Sequence, residues 1–294
     1  MMKKQKEWLI IFSCLLVMVG CGKDTITTID AESDTNIEKS TVDERVAEGL
    51  RAVNVGDKET ILDEELVLTF IDEFDGTSLK TDLWEYCPLW ERADRGGKWD
   101  SKCVAVDNDK LVLSVIYDED AGCYKSGAIR TKGLFEQTYG YFEASMRVQD
   151  VPGFWSAFWM MCGEVGNIDG YGNDGTEIDI MEAYNYESKG INFALHWDGY
   201  EKDHQSVGKS KEYPDLYDGN FHTYAVLWTP TEYKWYIDGE FVWKSKAGGV
   251  CDNPGYMKLT LEVGSWAGEI VPSDLPATVE VEYVRAYQFS DRLE

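Results

Sequence analysis

Histidine is scarce in this 294-residue chain: three are present, His196, His204 and His222. That removes a histidine-rich zinc centre from consideration. Cations are also short. Lys and Arg number 28 against 54 Asp and Glu, a formal charge of -26. A nucleic-acid binder needs cations to displace counterions from phosphates, and an anionic membrane surface would repel this chain. No nucleic-acid partner is therefore expected. None of the seven cysteines forms a C-x-x-C, which disfavours a zinc ribbon or a thioredoxin-like centre. No G-x-S-x-G supplies a serine elbow. Nothing repeats at a fixed period, so a propeller is not expected, and no long 3.6-residue periodicity competes with the strand pattern described below.

What is present is apolar and aromatic: 44% hydrophobic and 13% aromatic residues, enough for a real core. Short alternating or apolar runs recur from Leu66 onward. Examples are Leu66-Val67-Leu68-Thr69-Phe70, Lys110 to Val115, Tyr141 to Val148, Thr223 to Trp228, Lys234 to Ile237, Met257 to Val263 and Thr278 to Val284. They are rich in β-branched and aromatic residues, and turn signals such as Asp238-Gly239 separate them. Many short strands without interleaved helices predict an all-β sandwich.

The N-terminus reads as an address. Lys3, Lys4 and Lys6 precede an apolar run, Trp8 to Val19, of about a dozen residues, the length of a signal-peptide core and short for a membrane span. It ends in Met18-Val19-Gly20-Cys21, similar to a bacterial lipobox in which the Cys is lipidated. The alternative is an ordinary secretory signal with a chance Cys21. Residues 1–21 are thus expected to be a lipoprotein signal, and the mature protein to lie outside the cytoplasm, held to the membrane by lipid. Residues 22–62 are rich in Asp, Glu, Thr, Ser and Lys and hold no aromatic residue, so they read as a flexible acidic linker, with a short helix conceivable over Val42 to Val53. Residues 63–294 form the expected catalytic domain. Without Cys14 and Cys21, the odd set Cys87, Cys103, Cys123, Cys162 and Cys251 is left, so at least one thiol is free or pairs elsewhere.

Two motifs fail inspection. Gly170-Tyr171-Gly172-Asn173-Asp174-Gly175 fits G-x-G-x-x-G, but it precedes a strand instead of opening a helix, so it reads as a loop. His222 opens an apolar strand and reads as structural.

The stretch that carries chemistry is Thr176-Glu177-Ile178-Asp179-Ile180-Met181-Glu182. Strand alternation places Glu177 and Asp179 on one face. Simple alternation would send Glu182 to the apolar face, where a carboxylate is costly. One extra residue near Ile180-Met181, a β-bulge, returns it to the face of the other two. Such a row of like charges repels itself and splits its pKa values, leaving one acid protonated and another ionised. Glycoside hydrolysis with retention needs that division: a carboxylate nucleophile and a carboxylic acid, roughly 5 to 5.5 Å apart. The alternative is a solvated edge with scattered acids. Eleven tryptophans accompany the row. Trp155 and Trp159 share a strand face, and Trp90, Trp197 and Trp266 sit near loops or strand ends, where indole faces could stack on sugar rings; for Trp159 a place in the core is an equal alternative.

With these residues, the chain resembles glycoside hydrolase family 16, the laminarinase, lichenase and agarase group, over about residues 66–290. Glu177 to Glu182 matches the family's E-[ILV]-D-[IVAF]-x-E signature in its bulged form. Phe70 to Gly76 with Trp84, Ser126 to Ile129, Tyr139 to Ala144, Gly153 to Trp159, Phe221 to Trp228, Tyr236 to Gly239 and Gly264 to Gly268 resemble its other segments in order. The resemblance implies a jelly-roll sandwich of two antiparallel sheets with a concave substrate cleft. It implies Glu177 as nucleophile, Glu182 as acid/base and Asp179 between them, sharing a hydrogen bond with the nucleophile. Trp155, Trp159, His196 and Trp266 are the expected substrate-binding residues, with a satisfied core histidine the alternative for His196. Ser156 in place of a usual Pro, Ser145 in place of a common Arg, the long Cys162–Gly175 loop and the wording of Ala194 to Tyr200 depart from the family beside the expected cleft.

The resemblance implies a retaining endo-glycosidase on β-1,3- or mixed β-1,3/1,4-glucan. The alternatives are an endo-β-galactosidase on a galactose-containing glycan, or a non-catalytic carbohydrate-binding lipoprotein. No cofactor is required and no catalytic metal is expected; a structural calcium is a family feature that no loop here is specific enough to place. The polysaccharide is the expected partner, and the protein is expected to act as a monomer.

Overall fold

The computed structural model describes residues 58–92 and 96–293. The signal 1–21, Cys21, most of the linker and the helix considered over Val42 to Val53 lie outside the described residues. Eighteen strands follow one another: β1 (Lys58–Ile61), β2 (Glu64–Asp72), β3 (Glu85–Tyr86), β4 (Lys98–Trp99), β5 (Val104–Val106), β6 (Leu111–Asp118), β7 (Cys123–Ser126), β8 (Ala128–Arg130) and β9 (Gly140–Arg147). The second half holds β10 (Phe154–Gly163), β11 (Gly175–Asn185), β12 (Gly190–Trp197), β13 (Gln205–Glu212), β14 (His222–Trp228), β15 (Tyr233–Ile237), β16 (Glu240–Ser245), β17 (Gly255–Val263) and β18 (Ala277–Phe289). Strand β1 falls inside the segment read as linker. Its Ile61 packs with Leu62 against Leu66 and Tyr141, so burial of apolar side chains outweighs the polar composition around them.

The strands form two sheets, one of eleven strands and one of seven in the order β13-β12-β11-β10-β17-β8-β3. All pairs are antiparallel apart from β4 with β7. This is the expected jelly-roll sandwich. Phe142, Trp228 and Trp235 from the larger sheet meet Phe154, Phe158, Ile178 and Phe193 from the smaller in one continuous buried cluster. Alternate residues of the seven-stranded sheet point away from that core, and those on β10, β11, β12 and β17 make the floor of the site. Ser156 and Ser145, expected beside the cleft, are elsewhere. Ser156 faces inward and bonds Gln149. Ser145 lies on β9 of the larger sheet and bonds Glu282 at 2.8 Å.

Candidate active site

The bulge is present. Met161 opposes Glu177, Trp159 opposes Asp179, Phe158 opposes Met181 and Ala157 opposes Glu182, so Ile180 has no partner on β10. On the other side the register with β12 shifts between Asp179 and Glu182. Ile178, Ile180 and Met181 are all fully buried in the core. Two consecutive inward apolar side chains are what carry Glu182 back outward. Trp235 of β15 reaches across the core and donates its indole N–H to the carbonyl of Asp179 at 2.9 Å, fixing the backbone at the bulge.

Each acid has its own surroundings. Tyr200 donates its hydroxyl to Glu177 Oε2. Asp179, 4% exposed, meets His196 Nε2 at 3.1 Å, and the other nitrogen of His196 shares a hydrogen bond of 2.9 Å with His204, the two rings being stacked. Asp179 is thus held by His196 and Glu177 by Tyr200, with oxygens of the two acids within 4.8 Å of each other. Asn192 donates to Glu182 Oε2 at 2.9 Å and accepts from Ser210 at 2.7 Å. Burial first, and the Glu177 charge second, push the Asp179 carboxyl well above the usual carboxylate range. Burial, then the Asp179 charge, do the same to Glu182, against the opposing pull of the Asn192 bond.

The expected sugar-binding aromatics share this outer face, but not all offer a free ring. Trp155 is buried beneath the Arg92 guanidinium, 4.5 Å from its ring centre, and makes a T-shaped contact with Trp266. Trp159 carries the Lys258 ammonium 3.5 Å from its ring centre, so that face of the indole is already occupied. Trp266, 41% exposed, stacks flat on Tyr184 with 4.4 Å between centres. Trp90 is also exposed. Trp197, grouped with these in the sequence, is instead a core residue; its parity on β12 is opposite to that of His196. His222 pairs with Asp218 and Asp238, in keeping with a structural residue.

Asn192, Tyr200, Lys258, Arg92 and Glu262 belong to the site and were not singled out in the sequence. Alternation does signal three of them. Asn192 lies four residues before His196 on β12, and Lys258 and Glu262 are the charged positions of a largely apolar β17. Lys258 is buried and lies between Trp159 and Trp99; burial lowers its pKa to about 8. Arg92 bonds Glu262 at 3.0 Å. Tyr200 arrives from the β12–β13 turn, whose Asp198 and Gly199 take positive φ of 59° and 72°. Glu177, Asp179 and His196 present ligand atoms within 4.8 Å of one another, and each takes part in the hydrogen bonds above.

A jelly-roll sandwich with a bulged acidic strand and aromatic, cationic flanks on one outer face defines a carbohydrate-active β-sandwich protein. The chain belongs to the glycosyl hydrolases family 16, whose model matches residues 93–285. It is 28% identical over 258 residues to the glucan endo-1,3-beta-glucosidase A1 of Niallia circulans, covering 75% of this chain and 38% of that protein. It is 26% identical over 310 residues to the keratan-sulfate endo-1,4-beta-galactosidase of Sphingobacterium multivorum, covering 98% and 68%. Among solved structures, the endo-beta-1,3-glucanase of Pyrococcus furiosus superposes with a TM-score of 0.66 at 26% identity, over 80% of this chain and 99% of that one.

Proposed function

We propose that this chain is a retaining, endo-acting glycoside hydrolase that cleaves internal bonds of a β-1,3- or mixed β-1,3/1,4-glucan. One observation carries the reading. Glu182 is a half-buried carboxyl, its pKa pushed well above the usual range by its surroundings, on the same bulged strand and face as Glu177. In the first step Glu177 forms a bond to the anomeric carbon as the glycosidic C–O bond breaks, and Glu182 gives its proton to the leaving oxygen. In the second, Glu182 takes a proton from water, whose oxygen displaces Glu177 and restores the original configuration. Asp179, held by His196, stands between the two, and burial with the Glu177 charge pushes its own carboxyl well above the usual carboxylate range.

The glucan preference is supported by the glucanases named above, one a sequence relative and one a solved structure. The Sphingobacterium galactosidase, which aligns with 98% of this chain, makes a galactose-containing glycan the second reading. Digesting laminarin, lichenan, agarose and keratan sulfate side by side separates them, and the anomer first released reports retention. Glu177→Gln is expected to lose activity by roughly a thousandfold or more. Azide is expected to rescue Glu177→Gly with an inverted product. Near-normal activity of Glu177→Gln would refute the role assignment. We further propose, from the N-terminal residues, that the protein acts outside the cytoplasm with lipid on Cys21, and, separately, that it acts as a monomer. Membrane fractionation of a Cys21→Ala variant tests the anchor.

A further inference from the structure

A cavity of about 960 Å³ opens where β10 and β8 end and β11 and β17 begin. That volume lies within the range of roughly 300–1,000 Å³ typical of small-molecule sites. Met161, which opposes Glu177 in the sheet, and Tyr200, which donates to Glu177, both line it. It therefore adjoins the nucleophile position and not Glu182. The outward row Ala194, Asp179, Trp159, Lys258 and Arg130 runs across five strands. A glycan laid across the acids along that row passes beside the cavity, and a substituent on the sugar over Glu177 points toward it.

Its walls suit a sugar. Tyr200 and Tyr256 supply aromatic faces, and Glu164 and Asp174 supply acceptors. The long Cys162–Gly175 loop builds one wall, and it is tied down. Asp198 accepts from the N–H groups of Asp169 and Gly170 at 3.2 and 3.1 Å, and the Gly199 N–H bonds the Val165 carbonyl at 2.6 Å. The carboxylates of Glu136, Glu164 and Asp174 outnumber Lys132 there, so a sulfated or uronic substituent would be repelled.

We propose that this cavity is a side pocket that accepts a neutral single-sugar branch carried by the glucan backbone. The inference rests on the glucanase reading above. The test compares a linear β-1,3-gluco-oligosaccharide with the same backbone bearing one β-1,6-linked glucosyl branch. Wild-type kcat/KM is expected to be at least as high on the branched compound. Gly166 lines the pocket, and a Cβ added there meets nothing within 4 Å. Gly166→Trp should therefore fill the space, lowering kcat/KM on the branched compound about tenfold or more while the linear value stays within about twofold. Thermal melting checks that the variant is folded. Rejection of the branched compound by the wild type overturns the proposal. So does an equal loss on both compounds in a folded Gly166→Trp protein, which would place a backbone sugar in the cavity. Failure of the wild type to cleave the linear compound would instead remove the glucanase reading, and this inference with it.

Discussion

The side-chain amide of Asn192 donates to Glu182 Oε2 across 2.9 Å, from the strand beside the bulge. This bond favours the ionised carboxylate, whereas burial favours the acid. Asn192→Ala removes the first influence and leaves the second, so Glu182 should hold its proton to higher pH. The basic limb of the kcat/KM profile should move upward, and kcat should fall about tenfold or more as the acid loses its tether. A basic limb that stays in place, or moves down, would contradict the assignment of Glu182 as the proton donor.

Glu182 also makes a prediction about stability. Its folded-state pKa lies well above the ordinary value of 4.5, by burial and then by the Asp179 charge. Such a group contributes its stability in full below the unfolded pKa and loses it as pH rises through the folded one. Glu182→Gln escapes that loss. Wild type and variant should melt alike near about pH 4, and the variant should melt higher by a few degrees near about pH 8. A wild type as stable as the variant at the higher pH would mean that burial of this carboxyl costs nothing.

Lys258 gives the opposite sign. Burial lowers it from 10.5 to about 8, with Cys87, Glu177 and Glu262 pulling the other way and Arg130 adding to the depression. The buried amine is tolerated neutral, and stability is lost as pH falls through the folded pKa, by up to roughly 3 kcal/mol. Lys258→Met should therefore gain on the wild type as pH is lowered from about 9.5 to about 6.5. A melting-temperature gap that does not widen in favour of Met would show that the contacts with Trp159 and Trp99 offset the whole cost of charging.

Trp266 is an exposed aromatic of the site, with one face resting on Tyr184. It touches neither Glu177 nor Glu182 among the contacts described, so it should contribute to ground and transition states equally. Trp266→Ala should raise KM about three- to tenfold and leave kcat nearly unchanged. A fall in kcat at constant KM would place the indole against the reacting sugar.

The bulged strand was legible before any coordinates, because an acid at position 182 cannot follow simple alternation without entering the core. The apolar pair Ile180-Met181 marks where the extra residue sits. The sandwich was legible for the same reason: period-two runs bounded by turn residues leave no helix to build. The aromatic site was read less well. Trp197 looked like a loop-edge residue, but strand parity buries it, and Trp155 and Trp159 share the outer face while Arg92 and Lys258 cover them.

Local pattern alone settled that three carboxylates of β11 emerge on one side of a sheet, since side-chain direction along a strand depends on near neighbours. Which group serves each acid was decided by the folded chain. Tyr200 on Glu177, His196 on Asp179 and Asn192 on Glu182 come from the adjoining strand and its turn, through register and positive-φ residues. No spacing within residues 177–182 encodes those partners, and the burial that raises Glu182 exists only once the sheets and loops have closed around it.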